Sequence, residues 1–219
     1  MNIFFLSRHA QLAAQAHCDK HVVKMILEYA QLLSTAHRLL DGTPNVTEHP
    51  ESGRKRTLYL LPNEELYLNR DLDEGCVWVL KWIIMNPTVY NASHMNHPSN
   101  KWVRANGENY RWLSTMWIAL MLEYKQRYGK EHSTRRLKKT LETLPKNIPA
   151  GEFADPPLAM PEEYKVDDAV TAYQNFYMGS KARFARWTNR QPPDWFISRT
   201  PNYDKAYFTR TKDVAARAE

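Results

Sequence analysis

Cysteine is nearly missing from this chain: Cys18 and Cys76 are the only two in 219 residues. Together with the lack of a signal-like apolar N-terminus, this argues against a disulfide scaffold and for reduced thiols in a cytosolic compartment. A long hydrophobic run is missing too. The longest, CVWVLKWIIM, is interrupted by Lys81 and is too short to span a bilayer, so no membrane role is expected. Glycine is scarce, at 7 residues, and beside 12 Tyr, 7 Trp and 7 Phe this argues against a disordered or loop-dominated chain. No internal repeat is visible, and no pair of alternating segments joined by a tight Asn-Gly or Asp-Gly turn stands out as a hairpin. Acidic residues are outnumbered 24 to 30, leaving a net charge of +6 and a pI near 9.2, which favours an anionic partner.

What is present reads as helix. The pattern predicts an all-α chain, with a single compact multi-helix domain over 1–196 and a basic tail over 197–219. A first helix is expected from about Ala10 to Leu40, stopped by Gly42 and Pro44, and the polar stretch after it, about 43–70, reads as an insert-like surface loop. A second helix is expected from about Asp71 to Met85, ending before Pro87. Ser99 or Asn100 can cap a long helix that ends at Gly129, and a short basic helix runs from Ser133 to about Leu144. The segment PKNIPAGEFADPPLAMPEEY is proline-rich and reads as a strap across the surface, before a last helix over about Asp167 to Thr188.

The stretch HCDKHVVKMILE concentrates chemistry on the first helix. At about 100° per residue, His17, Lys20, His21, Lys24, Glu28 and Gln31 share one arc, while Cys18, Val22, Met25, Ile26, Tyr29, Leu33, Ala36 and Leu40 form another. The plain reading is a solvated face with a Lys24–Glu28 helical ion pair. The sharper one is a site, since two lysines and two imidazoles can hold phosphate oxygens and Glu28 can orient a lysine or accept a proton. His17 and His21 also have the i, i+4 spacing of shared metal ligands, with His94 or His97 as a third. No Cys/His cluster supports that reading, so neither a metal nor another cofactor is expected. Cys18 falls on the apolar arc and reads as packing.

A second polar concentration spans Ser93 to Trp112. His94, Asn96 and His97 feed a helix N-terminus, where backbone donors and the dipole favour anions, and Lys101 follows them. Asn106 and Asn109 share the stripe of Trp102 and Leu113, where buried amides either tie helices together or read a ligand edge. Arg104 and Arg111 project elsewhere as phosphate contacts or solubility charges, and Trp102, Tyr110 and Trp112 read as core before base-stacking platforms. Between Lys130 and Lys146, six basic residues face two acidic ones, which makes Arg135, Arg136, Lys138 and Lys139 candidates for DNA-backbone contact or simply a solvated helix.

Taken together, HCDKHVVKMILEYAQLLSTAH, SHMNHPSNKWVRANGENYRWL and the later AMPEEYKVDDAVTAYQNFY and KARFARWTNRQPPDWF resemble a group of bacteriophage proteins of thymidine hypermodification, the amino acid:DNA transferases. The likeness runs from Met1 to Phe196. It implies double-stranded phage DNA carrying pyrophosphorylated 5-hydroxymethyluracil as substrate, met in the host cytoplasm during infection. A free amino acid, such as glycine or serine, displaces pyrophosphate at the 5-methylene carbon. The catalytic candidates are then His17, Lys20, His21 and Lys24 on the leaving group and Glu28 as base. Asp19, His94, Asn96, His97, Lys101, Arg104, Asn106, Asn109 and Tyr110 are candidates for substrate binding. Two other classes compete: a helical DNA glycosylase or nuclease using Lys20 or Lys24 as an amine nucleophile or a His-bound metal, and a non-enzymatic DNA-binding protein.

Overall fold

A computed structural model describes residues 1–49, 52–72 and 78–199. The chain is mostly helical, but it also contains two antiparallel two-stranded sheets, so the all-α expectation is corrected to a mixed α/β fold. Along the sequence run α1 (Ala10–Ala16), α2 (Asp19–Asp41), β1 (Thr43–Glu48), β2 (Lys55–Leu60), β3 (Glu65–Leu72), β4 (Trp78–Met85), α3 (Pro98–Val103), α4 (Gly107–Tyr128), α5 (Lys138–Leu141), α6 (Ala169–Phe176) and α7 (Asp194–Arg199). The expected tail therefore begins inside α7, and residues 200–219 lie outside the described residues, as does Cys76.

The expected 10–40 helix is broken at His17 and Cys18, both extended. The break is held by tertiary partners: the Cys18 N–H donates to Tyr177 Oη at 2.8 Å and the Asp19 N–H to the Arg186 carbonyl at 2.8 Å. These two N–H groups, which an unbroken helix would use internally, are satisfied across the fold instead. Past the break, α2 buries Val22, Met25, Ile26, Tyr29, Leu33 and Ala36 against α4, where the Trp117 indole N–H donates to the Ile26 carbonyl at 3.0 Å. The extended N-terminal segment adds Ile3 and Phe5, both fully buried, to the same core.

Similarly, the long helix expected to run from Ser99 or Asn100 to Gly129 is two. Asn106 leaves helical geometry and caps α4 by accepting the Asn109 N–H at 2.9 Å, while the Gly107 N–H goes to the Pro149 carbonyl at 3.0 Å. At the other end Gly129 takes φ +68°, the left-handed C-terminal stop that glycine adopts without strain. The basic segment after it is a 3-10 turn, Ser133–Leu137, followed by the single turn of α5. Of the helix expected over 167–188, α6 covers eight residues and continues as a π-helical turn, Tyr177–Lys181, and a 3-10 turn, Ala182–Phe184.

The two hairpins replace the expected loop and second helix. β1 pairs with β2 from Thr43↔Leu60 to Glu48↔Lys55, and β3 pairs with β4 from Glu65↔Met85 to Leu72↔Trp78. They are tied to α2 by Arg38, whose guanidinium is fully buried, meets Glu64 at 2.6 and 3.1 Å, and also donates to the carbonyls of Tyr59, Val89 and Tyr90. Burial alone would raise the Glu64 carboxyl; Arg38 and the N–H groups of Leu61 and Thr88 outweigh it and hold it below the ordinary value. The proline-rich segment crosses the surface of α3, α4 and α6, fixed by Trp102 Nε1 to the Ala154 carbonyl (2.8 Å) and Tyr173 Oη to the Pro157 carbonyl (2.7 Å).

Candidate functional site

The break before α2 turns His17 inward. A carbonyl can only accept, so the contact of His17 Nδ1 with the Ala13 carbonyl at 2.6 Å places the imidazole proton on Nδ1. Its Nε2 then accepts from Tyr29 Oη at 3.3 Å, and that hydroxyl in turn accepts the Phe4 N–H at 3.0 Å. His17 is wholly buried, and burial, with the nearby Arg127 charge adding to it, pushes its pKa down to about 4. It is a neutral framework residue.

His21, one turn on, sits at the edge of the same apolar layer. It stacks on Phe4 with ring centroids 4.4 Å apart and meets Tyr177 Oη through Nδ1 at 2.8 Å. That hydroxyl also accepts the Cys18 N–H; when it donates its own proton to His21 Nδ1, neutral His21 carries its hydrogen on Nε2. No hydrogen bond joins this Nε2 to a described residue, and it is not among the buried polar atoms left without a partner. Burial first, then His17, Lys181 and Lys24, lower the pKa of His21 to about 3. His21 is thus neutral near pH 7, with Lys181 and Lys24 close enough to act on it electrostatically.

Those cations come from two elements. Lys24, on the turn after His21, is largely exposed and pairs with Glu28 at 3.2 Å. Lys20 lies over the Phe184 ring at 4.9 Å. The π-helical turn brings Lys181 over the Phe176 ring at 4.4 Å, with no acidic partner among the described residues; burial and the charges of Arg183 and Lys24 lower its pKa. Glu28 also acts electrostatically on His97, connecting this face to the loop before α3. There His97 caps α3 by accepting the Ser99 N–H at 3.1 Å, and burial lowers its pKa.

The remaining candidates divide between framework and surface. Asp19 accepts the Thr188 N–H and hydroxyl and pairs with buried Arg127 at 3.0 Å, so it closes the fold rather than facing the cation cluster. Asn106 donates to the Glu152 carbonyl, and buried Asn109 bonds the Trp102 carbonyl and the Ala154 N–H, both tying the strap down. Tyr110 is buried between His37 Nε2 at 2.8 Å and the Leu141 carbonyl at 3.1 Å. Arg104 is spent on the Met95 carbonyl and Asn100, while His94, Asn96 and Lys101 are exposed. On the basic segment Arg135 pairs with Glu131 at 2.6 Å, Lys138 with Glu142 at 2.8 Å, and Arg136 lies over Tyr90. Lys139 is exposed. Two of these four cations are therefore answered by carboxylates.

Among the described residues no three His, Cys, Asp or Glu side chains converge as metal ligands. The protein partners of His17 also occupy both of its ring nitrogens. No described helix is long and apolar enough to cross a membrane. Sequence reasoning missed Tyr177, which meets the start of α2 from nearly 160 positions away, and Lys181, one turn beyond Tyr177; only their place in the motif AYQNFYMGSKARF carried a signal. It also missed Arg127, whose guanidinium binds Asp19, Glu123 and the carbonyls of Gln15 and His17 behind the site. Comparison with protein-family models, curated proteins and solved structures finds no match.

Proposed function

We propose that this protein is a DNA-modifying transferase of the phage hypermodification type, acting in the host cytoplasm. It couples a free amino acid to pyrophosphorylated 5-hydroxymethyluracil in double-stranded DNA and releases pyrophosphate. The observation that carries the reading is the set formed by His21, Lys24 and Lys181: a neutral N–H donor beside two lysines, backed by an apolar layer. Displacement of pyrophosphate gathers negative charge on the departing oxygen, and fixed donors and cations aimed at it are the main demand on such a site. Lys181 carries more of that demand than Lys24, because Glu28 offsets the Lys24 charge.

In the proposed reaction the C5-methylene carbon loses its bond to the pyrophosphate oxygen and gains one to the amino nitrogen. The bonding pair leaves with the oxygen, where Lys181, Lys24 and His21 Nε2–H receive it. The attacking amine gives up one proton, for which Glu28 is the acceptor within reach of Lys24. The decisive experiment is mass spectrometry of nucleosides from DNA bearing pyrophosphorylated 5-hydroxymethyluracil, after incubation with the protein and each amino acid in turn. A mass gain with one donor and equimolar pyrophosphate is expected, and Lys181→Ala should slow it by roughly 10²–10³-fold. Unchanged DNA with every donor would sink the proposal.

One observation favours a second reading. The lowered pKa of Lys181 is also what an amine nucleophile of a glycosylase requires. Borohydride trapping on uracil- or hydroxymethyluracil-containing DNA separates the two, since only a glycosylase of this kind yields a covalent adduct lost in Lys181→Ala.

A further inference from the structure

The β1–β2 hairpin carries a second charged site. A cavity of about 590 Å³ on its outer end is lined by Thr47, Ser52, Arg54, Lys55, Arg56 and Trp82, together with His49. Arg54, Lys55 and Arg56 are consecutive and exposed, at the start of β2, and none of them forms an ion pair with a described residue. The one described carboxylate nearby is Glu48, which pairs in register with Lys55 and approaches Gly53 in the turn. Among the described residues, three cations face one carboxylate there.

Its wall is aromatic. Trp82 reaches across from β4, and its indole N–H donates to the Glu48 carbonyl at 3.2 Å, which fixes the ring in the cavity wall without using its faces. Thr47 is tied to the Arg56 carbonyl at 3.1 Å, and the turn closes through the Gly53 N–H to the His49 carbonyl at 2.9 Å, so the hairpin is a built support. Clustered arginines beside a half-buried, oriented indole suit a ligand with both phosphate oxygens and flat faces, which is a nucleic-acid strand. An acidic peptide would use the charges but not the ring.

We propose that the β1–β2 hairpin and Trp82 form a nucleic-acid-binding site, in which Arg54, Lys55 and Arg56 hold backbone phosphates and a base stacks on Trp82. This rests on the proposed action on DNA for its choice of partner, but not on any transfer chemistry. It assigns substrate grip to a surface other than the basic segment around Arg135, where carboxylates already answer half of the charge.

The test is binding of unmodified, fluorescently labelled single-stranded and duplex DNA to the full chain across a salt series, with no amino acid present. Arg54→Gln/Lys55→Gln/Arg56→Gln should flatten the slope of log K against log[salt] by roughly 2–3, at about 0.7–0.9 per neutralised phosphate contact. Trp82→Ala should weaken single-strand binding roughly 5- to 150-fold and Trp82→Phe much less, since the phenyl ring still stacks. Circular dichroism of each variant checks that the fold is kept. An unchanged salt slope in the triple variant overturns the site, and so does equal loss in Trp82→Ala and Trp82→Phe. Binding of phosphatidylserine vesicles that is lost in the triple variant, with DNA binding intact, would reassign the surface to membranes. Because unmodified DNA is the probe, a protein that binds it here but transfers nothing refutes the transferase and leaves this site standing.

Discussion

Acid should unfold this protein early, and His17 and His21 say by how much. An unfolded histidine titrates near 6.5, whereas burial lowers His17 to about 4 and His21 to about 3. Both are neutral in the folded protein, so below pH 6.5 the unfolded chain binds more protons and stability falls with pH. Above 6.5 nothing is lost. As pH drops from 6.5 the loss accrues, and it completes only below the folded values of about 4 and 3. At pH 5 the unfolded form of each residue is favoured by about 2 kcal/mol, or about 4 kcal/mol for the two, from 1.36 kcal/mol per unit. His37, His97 and His132 are also lowered by burial and act in the same direction. Against a typical total of roughly 5–15 kcal/mol this is a large fraction. Urea unfolding followed by circular dichroism at pH 7.5, 6 and 5 measures it, with a slope near pH 5 approaching roughly 2.7 kcal/mol per pH unit from these two alone. His17→Gln should remove about half of that slope while lowering stability at pH 7.5. A stability that stays flat between pH 7.5 and 5 would refute the buried, neutral assignment of both residues.

Other substitutions probe single links. Arg38→Ala leaves Glu64 buried without its cation and should cost about 3–5 kcal/mol, read as a fall in urea midpoint, with Arg38→Ala/Glu64→Leu recovering part of it. Asn106→Ala removes the cap of α4 and a tie to the strap, and should cost about 0.5–2 kcal/mol in the same assay. Tyr177→Phe deletes the hydroxyl between Cys18 and His21, so stability should fall by about 1–3 kcal/mol and nitrogen NMR should show His21 losing its single Nε2–H tautomer. If His21 already populates both tautomers in the unsubstituted protein, the donor role given to it fails.

The apolar arc of α2 was legible because Val22, Met25, Ile26, Tyr29, Leu33, Ala36 and Leu40 repeat at the helical period; the first six are buried, and Leu40, at the end of the helix, is half-buried. Gly129 was legible as a stop for the same local reason. Trp78–Met85 was not: WVLKWIIM is apolar without a clear period, and such a run fits a buried helix as well as a strand. Its partner in β3 and the Arg38–Glu64 pair that anchors both hairpins are long-range facts, invisible to any window of residues. The break at His17–Cys18 is of that kind too, since its donors are satisfied by Tyr177 and Arg186. Asn106 is different: an Asn before Gly within a helical pattern is a local cap signal, and it was outweighed by the stripe of Trp102 and Leu113.

The polar arc shows why residue type and helical spacing do not suffice to name a site. Lys20, His21, Lys24 and Glu28 lie on one side of α2 and His17 just before it, yet their surroundings change along the axis. At the N-terminal end, Tyr29, Phe4 and the end of α1 close over His17, and an imidazole there can only be neutral and structural. One turn later Tyr177 covers one ring nitrogen of His21 and leaves the other without a hydrogen-bond partner among the described residues. Another turn on, Lys24 is solvent-facing and Glu28 is its partner. Chemistry needs a group that is both positioned and reachable. Along this arc the two conditions overlap at His21, where the π-helical turn also delivers Lys181. The cover given by residues 1–6 and 173–184 therefore locates the candidate site on α2, and a substitution that loosens that cover, such as Tyr177→Phe, should disturb His21 before it disturbs Lys24.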